Sequence, residues 1–144
     1  MKSKILKYLQ LSREERKSFN ELIWRLLLWR MLIAFLPFHR LAKYFGQSGK
    51  ESPLEPNIDI NYIELASNTL KRSKKALPWK PKCLNEAIAV KRLLKKYRID
   101  STLYLGVGKD SNQKLVGHAW LRCGNKIIAG LEESLNFSVV AKFS

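Results

Sequence analysis

Lys82-Cys83-Leu84-Asn85-Glu86-Ala87-Ile88-Ala89-Val90-Lys91-Arg92-Leu93-Leu94-Lys95-Lys96, followed by Ser101-Thr102-Leu103-Tyr104-Leu105-Gly106-Val107, decides the fold, because the hydrophobic period changes between the two stretches. In the first, Leu84, Ala87, Ile88, Leu94 and Tyr97 fall on one face of a helix that begins at Lys82 or Cys83 and ends before Ile99. Lys91, Arg92, Lys95 and Lys96 are expected to point outward. From Ser101 the pattern is that of strands: Thr102–Val107, a polar turn Lys109-Asp110-Ser111-Asn112-Gln113, then Leu115–Cys123. Gly124-Asn125 is a two-residue hairpin turn, Lys126–Ala129 the return strand, and Phe137–Phe143 one more.

Upstream, Tyr62, Ala66, Thr69, Leu70, Ser73 and Leu77 share a helical face, and Lys71, Arg72, Lys74 and Lys75 sit near its C-terminal end, where they complement the dipole. Pro78 and Pro81 bracket a turn at Trp79. Gly46–Asn57, with two glycines and two prolines, reads as a linker. Before it, Ser12-Arg13-Glu14-Glu15 has the form of a capping box. Leu22, Leu26, Trp29, Ile33 and Leu36 then recur every three or four residues, so a long helix runs to about Leu36. Phe38–Phe45 suggests a short second helix stopped by Gly46. The expected architecture is α+β: an N-terminal helical segment at 1–46, a linker at 47–57, and at 58–144 a core in which a helix packs on a small antiparallel sheet.

The chain has 144 residues, 46% of them apolar, enough for one buried core and inconsistent with disorder as the main state. Two cysteines exclude a disulfide-rich secreted scaffold, and no secretion signal follows the basic N-terminus. Arg25 and Arg30 interrupt the most apolar stretch and Pro37 ends it, so it falls short of a spanning helix. A cytoplasmic protein is expected, with the inner-membrane surface as an additional peripheral location. The formal charge of +15 points to an acidic partner, an anionic membrane or nucleic acid. Met1–Lys50 carries 11 basic and 3 acidic residues, and Trp79–Gly108 carries 7 and 2. Nucleic acid is the disfavoured partner, because no zinc finger, aromatic RNA-binding signature or helix-turn-helix is present.

Cys83 opens its helix, where unpaired amides and the macrodipole favour an anion over a neutral thiol, the setting of a thiolate nucleophile. Lys80 and Lys82 add positive charge. His118 lies on a strand, and a strand histidine facing a cysteine at a helix N-terminus is the arrangement of acyl-transfer enzymes with a Cys–His pair. Each residue alone is more often structural. Metal-ligand spacing is lacking among Cys83, His118, Cys123 and His39, and Gly106-Val107-Gly108-Lys109 is not a phosphate loop.

The wording around the pair adds a resemblance. Pro81-Lys82-Cys83-Leu84-Asn85-Glu86-Ala87, Tyr104-Leu105-Gly106-Val107, Gly117-His118-Ala119-Trp120-Leu121 and the helix end Leu36-Pro37-Phe38-His39-Arg40-Leu41-Ala42 resemble the transglutaminase-like, papain-like core of the lasso-peptide leader peptidases. These are the B-type maturation proteins, whose first described member processes a microcin precursor. The resemblance runs from about Leu11 to Phe143. It implies that Cys83 is the nucleophile, His118 its base, and that an aspartate on the next strand orients the imidazole.

Pairing across the Gly124-Asn125 turn would set Cys123 against Lys126, Leu121 against Ile128 and Ala119 against Gly130, so the carboxylate is wanted near Gly130. Ala129-Gly130-Leu131 offers none. Glu132 is the nominated orienter, with a backbone carbonyl or another polar side chain competing. The Cys83 amide would serve an oxyanion hole. Trp120, two residues from His118, is either a wall of the site or a core tryptophan, and Cys123 is a buried small residue on the opposite strand face.

The resemblance further implies a peptidase that removes the leader of a ribosomally made precursor peptide, without metal or cofactor. A separate leader-recognition protein would deliver the leader, a cyclase would close the lasso ring, and a membrane exporter is a further candidate partner. Trp24 and Trp29, on the apolar helix, are candidate docking residues. The alternatives are a transglutaminase-like acyltransferase or deamidase and a non-catalytic basic binding module for peptide or nucleic acid.

Overall fold

A computed structural model describes residues 2–55, 60–130 and 136–144. Among them run α1 (Lys2–Leu9), α2 (Arg13–Phe35), α3 (Phe38–Leu41) with a 3-10 turn at Ala42–Tyr44, α4 (Ile60–Ala76), α5 (Cys83–Lys96) and strands β1 (Thr102–Lys109), β2 (Leu115–Cys123), β3 (Lys126–Ala129) and β4 (Ser138–Phe143). The strands form one antiparallel sheet in the order β3-β2-β1-β4. This is the expected α+β architecture, a helix packed on a small antiparallel sheet with a helical N-terminal segment.

The capping box holds the start of α2: the Ser12 hydroxyl accepts from the Glu15 amide at 3.1 Å, and the Glu15 carboxylate accepts from the Ser12 amide at 2.9 Å. Leu22, Leu26 and Trp29 are buried along one face of α2, at the spacing that sequence periodicity requires. They share a core with Ile63, Ala66 and Leu70 of α4, with Ala87–Val90, Leu93 and Leu94 of α5, and with Leu103, Leu121 and Phe143 of the sheet. Helix α5 is therefore buried between helices and sheet, and its N-terminal residue sits at the rim of that core. Helix α1 has no counterpart in the hydrophobic periodicity. Contacts at its far end fix it: Tyr8 packs on Phe19 and hydrogen-bonds Asn20.

Residues 47–52, read as linker, run along the sheet. Gln47 and Ser144 exchange backbone hydrogen bonds, the Gly49 amide donates to Lys142 O, and Ser52 is tied to Thr102 and Arg122. The β2–β3 register departs from simple hairpin alternation. Cys123 pairs with Lys126 and Arg122 with Ile127 as simple alternation requires, but Leu121 pairs with Ala129 instead of Ile128. The extra residue on β3 is a bulge at Ile128, which displaces Ala129 by one position.

Lys91 corrects the expected outward face of α5. It is 7% exposed, and its ammonium donates to Ser101 O at 2.5 Å. Burial, reinforced by Lys95, pushes its pKa down to about 8, against a smaller opposing pull from Asp100. The unfolded chain holds this proton up to the ordinary lysine range, so the penalty is complete below pH 8 and relaxes as pH rises. The Tm of Lys91→Met minus that of wild type is thus expected to fall by several degrees, on the order of 5 °C, between pH 7 and 9.5. Thermal unfolding at four pH values checks it, and a gap that does not change with pH refutes it. The Cys123 thiol, which burial pushes up, acts in the opposite sense at the alkaline end, and reading the difference between the two proteins leaves of it only the part that depends on its interaction with Lys91.

Candidate active site

The first residue of α5 is Cys83, a half-buried free thiol that packs against the edge of the core. Lys82 occupies the N-cap in an extended conformation and gives no side-chain cap hydrogen bond, so the first-turn amides stay available to an incoming oxyanion. Glu86, one turn further on, is buried and paired with Lys74 at 3.0 Å.

Strict pairing of β1 with β2 from Thr102↔Arg122 to Lys109↔Leu115 sorts β2 into two faces. Ala119, Leu121 and Cys123 join the core that contains α5. His118 and Trp120 stand on the other face, with Tyr104 and Gly106 of β1. There the rings form a column: Tyr104 stacks on Trp120 at 5.5 Å, Trp120 on His118 at 5.9 Å, and Phe137 lies 4.9 Å from the imidazole. Glycines make room for the column. A Cβ on Gly106 would lie 2.7 Å from the Trp120 ring, and one on Gly108 would lie 3.0 Å from the Phe137 ring.

His118 Nε2 lies 3.1 Å from the Gly130 carbonyl oxygen. A carbonyl only accepts, so the ring donates, the hydrogen sits on Nε2 and Nδ1 is the basic nitrogen of the neutral imidazole. The position where alternation wanted a carboxylate thus supplies a backbone oxygen. Gly130 has φ +77, a left-handed conformation that turns the chain out of β3 and presents that oxygen.

Cys83 and His118 are not hydrogen-bonded to each other; the thiol has no hydrogen-bond partner among the described residues, and along β2 the imidazole alternates with Ala119, which joins the core. Trp120 is buried against the imidazole. Glu132 lies outside the described residues. Trp24 is exposed, but Trp29 is 4% exposed and packs edge-on to Tyr44, so the core claims it and it cannot serve a docking surface. The exposed stripe of α2 is instead Trp24, Leu28, Met31 and Phe35. Cys123 is buried, its thiol donating to Asp100 O at 3.5 Å. Sequence reading missed Phe137 and Tyr104 as neighbours of the histidine. The signal was Gly106 and Gly108, one strand over and on the same alternation as His118, where missing side chains mark a crowded face.

No group of three or more His, Cys, Asp or Glu able to hold a metal occurs among the described residues. No helix among them is long and apolar enough to cross a membrane. A family model described as the transglutaminase-like superfamily matches residues 23–142, a span that includes both Cys83 and His118. No curated protein and no solved structure matches the chain.

Proposed function

The chain belongs to the transglutaminase-like superfamily, and from that premise we propose that it is a cysteine peptidase that removes the leader from a ribosomally synthesised lasso-peptide precursor. It would act with a separate leader-recognition protein that presents the leader and a cyclase that consumes the freed core peptide. The observation that carries the reading is Cys83 at the uncapped start of α5, within a family match that also takes in His118. The superfamily groups cysteine-dependent peptidases and acyltransferases. The leader-peptidase assignment rests on the Cys-Leu and His-Ala-Trp wording and its flanks.

In this reading the Cys83 thiolate attacks the carbonyl carbon at the leader–core junction, and the oxyanion is held by first-turn amides of α5. The C–N bond breaks as the imidazolium of His118 gives its proton to the leaving amine. Water then attacks the thioester, His118 Nδ1 takes its proton, and the products are a leader carboxylate and the free thiol. Catalytic hydrogen bonds often tighten only in the substrate complex, and the thiol and the imidazole are not hydrogen-bonded to each other in the free protein. Closing of that pair on substrate delivery makes partner-dependent activity the natural expectation, which fits a peptidase whose substrate is delivered by a second protein.

Mass spectrometry of a precursor peptide incubated with this protein and its recognition partner tests the assignment. Two fragments whose masses sum to the precursor plus one water are expected. An intact precursor carrying added amine, or shifted by one mass unit for a deamidated glutamine, would replace the peptidase with an acyltransferase or deamidase. An unmodified precursor with the partner present would leave the binding module.

A further inference from the structure

The turn that leads into Cys83 forms one wall of an open cleft of about 530 Å³, lined by Lys71, Lys74, Lys75, Leu77, Trp79 and Lys80, a size suited to a bound side chain or short peptide segment. Leu77 and the Trp79 ring give it an apolar floor. The Arg30 guanidinium lies 5.0 Å from the centre of the Trp79 ring and fixes it from α2. Four lysines line the cleft, and among the described residues one of them is neutralised: Lys74 pairs with Glu86 at 3.0 Å. Lys71, Lys75 and Lys80 have no carboxylate partner among the described residues. Lys75 complements the dipole at the C-terminal end of α4, and together with Lys71 and Lys80 it leaves the cleft a surplus of positive charge over an apolar lining, a combination that favours an anionic ligand.

Its position gives the cleft a use. Trp79 and Lys80 precede Cys83 by four and three residues, so even a fully extended chain would put them within about 14 Å of the nucleophile. The same span holds three or four residues of an extended substrate.

We propose that this cleft binds an acidic segment of the polypeptide substrate, Asp or Glu carboxylates meeting Lys71, Lys75 and Lys80 while an apolar neighbour rests on Leu77 and Trp79. The site thereby reads the substrate a few residues from the scissile bond. Identifying the bound peptide as substrate rests on the peptidase reading, whereas the binding itself does not.

The test measures binding of fluorescein-labelled hexaglutamate by anisotropy at 0.15 M salt, using Cys83→Ala protein so that no chemistry intervenes. Lys71→Glu/Lys75→Glu/Lys80→Glu is expected to weaken binding at least about tenfold, and the matching triple change to Gln less. Lys50→Glu/Lys109→Glu/Lys114→Glu, the same charge change made at exposed lysines remote from the cleft, is expected to weaken it less than about threefold. Thermal unfolding confirms that each variant is folded. Equal losses in the two Glu triples, or no loss in the cleft triple, would overturn the proposal. So would a single-stranded 12-mer oligonucleotide that binds more tightly than hexaglutamate through the same three lysines, since the cleft would then be a nucleic-acid site. Precursor cleavage without hexaglutamate binding removes the cleft alone; hexaglutamate binding without cleavage removes the peptidase alone.

Discussion

Cys83→Ala is expected to lower precursor cleavage by roughly 10⁴- to 10⁶-fold, the range seen when a covalent nucleophile is deleted and only substrate binding and oxyanion stabilisation remain. The residue sits at the rim of the core with no hydrogen-bond partner among the described residues, so the change removes the thiol and leaves the packing of α5 almost intact. Folding stability should therefore hold while activity disappears. His118→Gln is the informative partner. A glutamine amide can still donate to the Gly130 carbonyl, replacing the 3.1 Å contact, but it has no basic nitrogen. If His118 is the base, His118→Gln loses as much rate as Cys83→Ala, and the double variant is no worse than either, because members of one catalytic unit are not additive. A His118→Gln protein that cleaves at near wild-type rate would leave the histidine as a member of the aromatic column and move the base elsewhere. Single-turnover cleavage rates of the three variants decide between the two.

Much of the scaffold was legible because it is written in local periods. Leu22, Leu26 and Trp29 recur at helical spacing and are buried together, and Ser12 and Glu15 cap the helix that carries them. The change from a period near 3.6 to a period of 2 at Ser101 separates α5 from the sheet. What periodicity does not carry is the third dimension. Trp24 and Trp29 look equivalent in a list of apolar residues, yet one is 67% and the other 4% exposed, since the position of α4 and α5 decides which side of α2 is the core. Lys91 was placed outward by its charge, but α5 is enclosed on nearly all sides, and a lysine whose ammonium reaches Ser101 O can be buried there.

The site was legible to the same depth. Cys83 at the start of α5 follows from the sequence, as does His118 on β2. Their relation does not. Parity along β2 sets His118 with Trp120, and the register with β1 adds Tyr104 and Gly106, but which face of that sheet receives α5 depends on long-range packing. The bulge at Ile128 is equally silent in the sequence, and it changes what lies opposite Leu121. A backbone carbonyl, one competing orienter, lies within hydrogen-bond distance of the imidazole, because a glycine at the end of β3 can turn its oxygen inward where a side chain would be blocked.

That last point makes Gly130→Ala the second large effect. At φ +77 an L-residue adopts a conformation costing about 1–2 kcal/mol. The added Cβ would also lie 2.6 Å from the Ala119 carbonyl oxygen, 2.9 Å from Trp120 Cβ and 3.0 Å from His118 Nε2. The first of these neighbours is backbone inside a paired strand and cannot yield. The chain at residue 130 must move instead, and its carbonyl leaves the imidazole. The expected loss of stability is about 2–4 kcal/mol, a Tm lower by roughly 10 °C. The expected loss of cleavage is at least about 100-fold even well below that Tm, because a base displaced by about 1 Å no longer meets its proton. Gly130→Asn separates the two causes: asparagine tolerates a left-handed backbone but brings the same Cβ, so if the clash dominates it is as damaging as alanine. The ¹⁵N shifts of the His118 ring supply the reading that general destabilisation would not move. In the wild type they should report the hydrogen on Nε2, and in Gly130→Ala a smaller share of that tautomer, since the Gly130 carbonyl then no longer selects it. An unchanged tautomer in a folded Gly130→Ala protein would mean that something other than the Gly130 carbonyl holds the histidine.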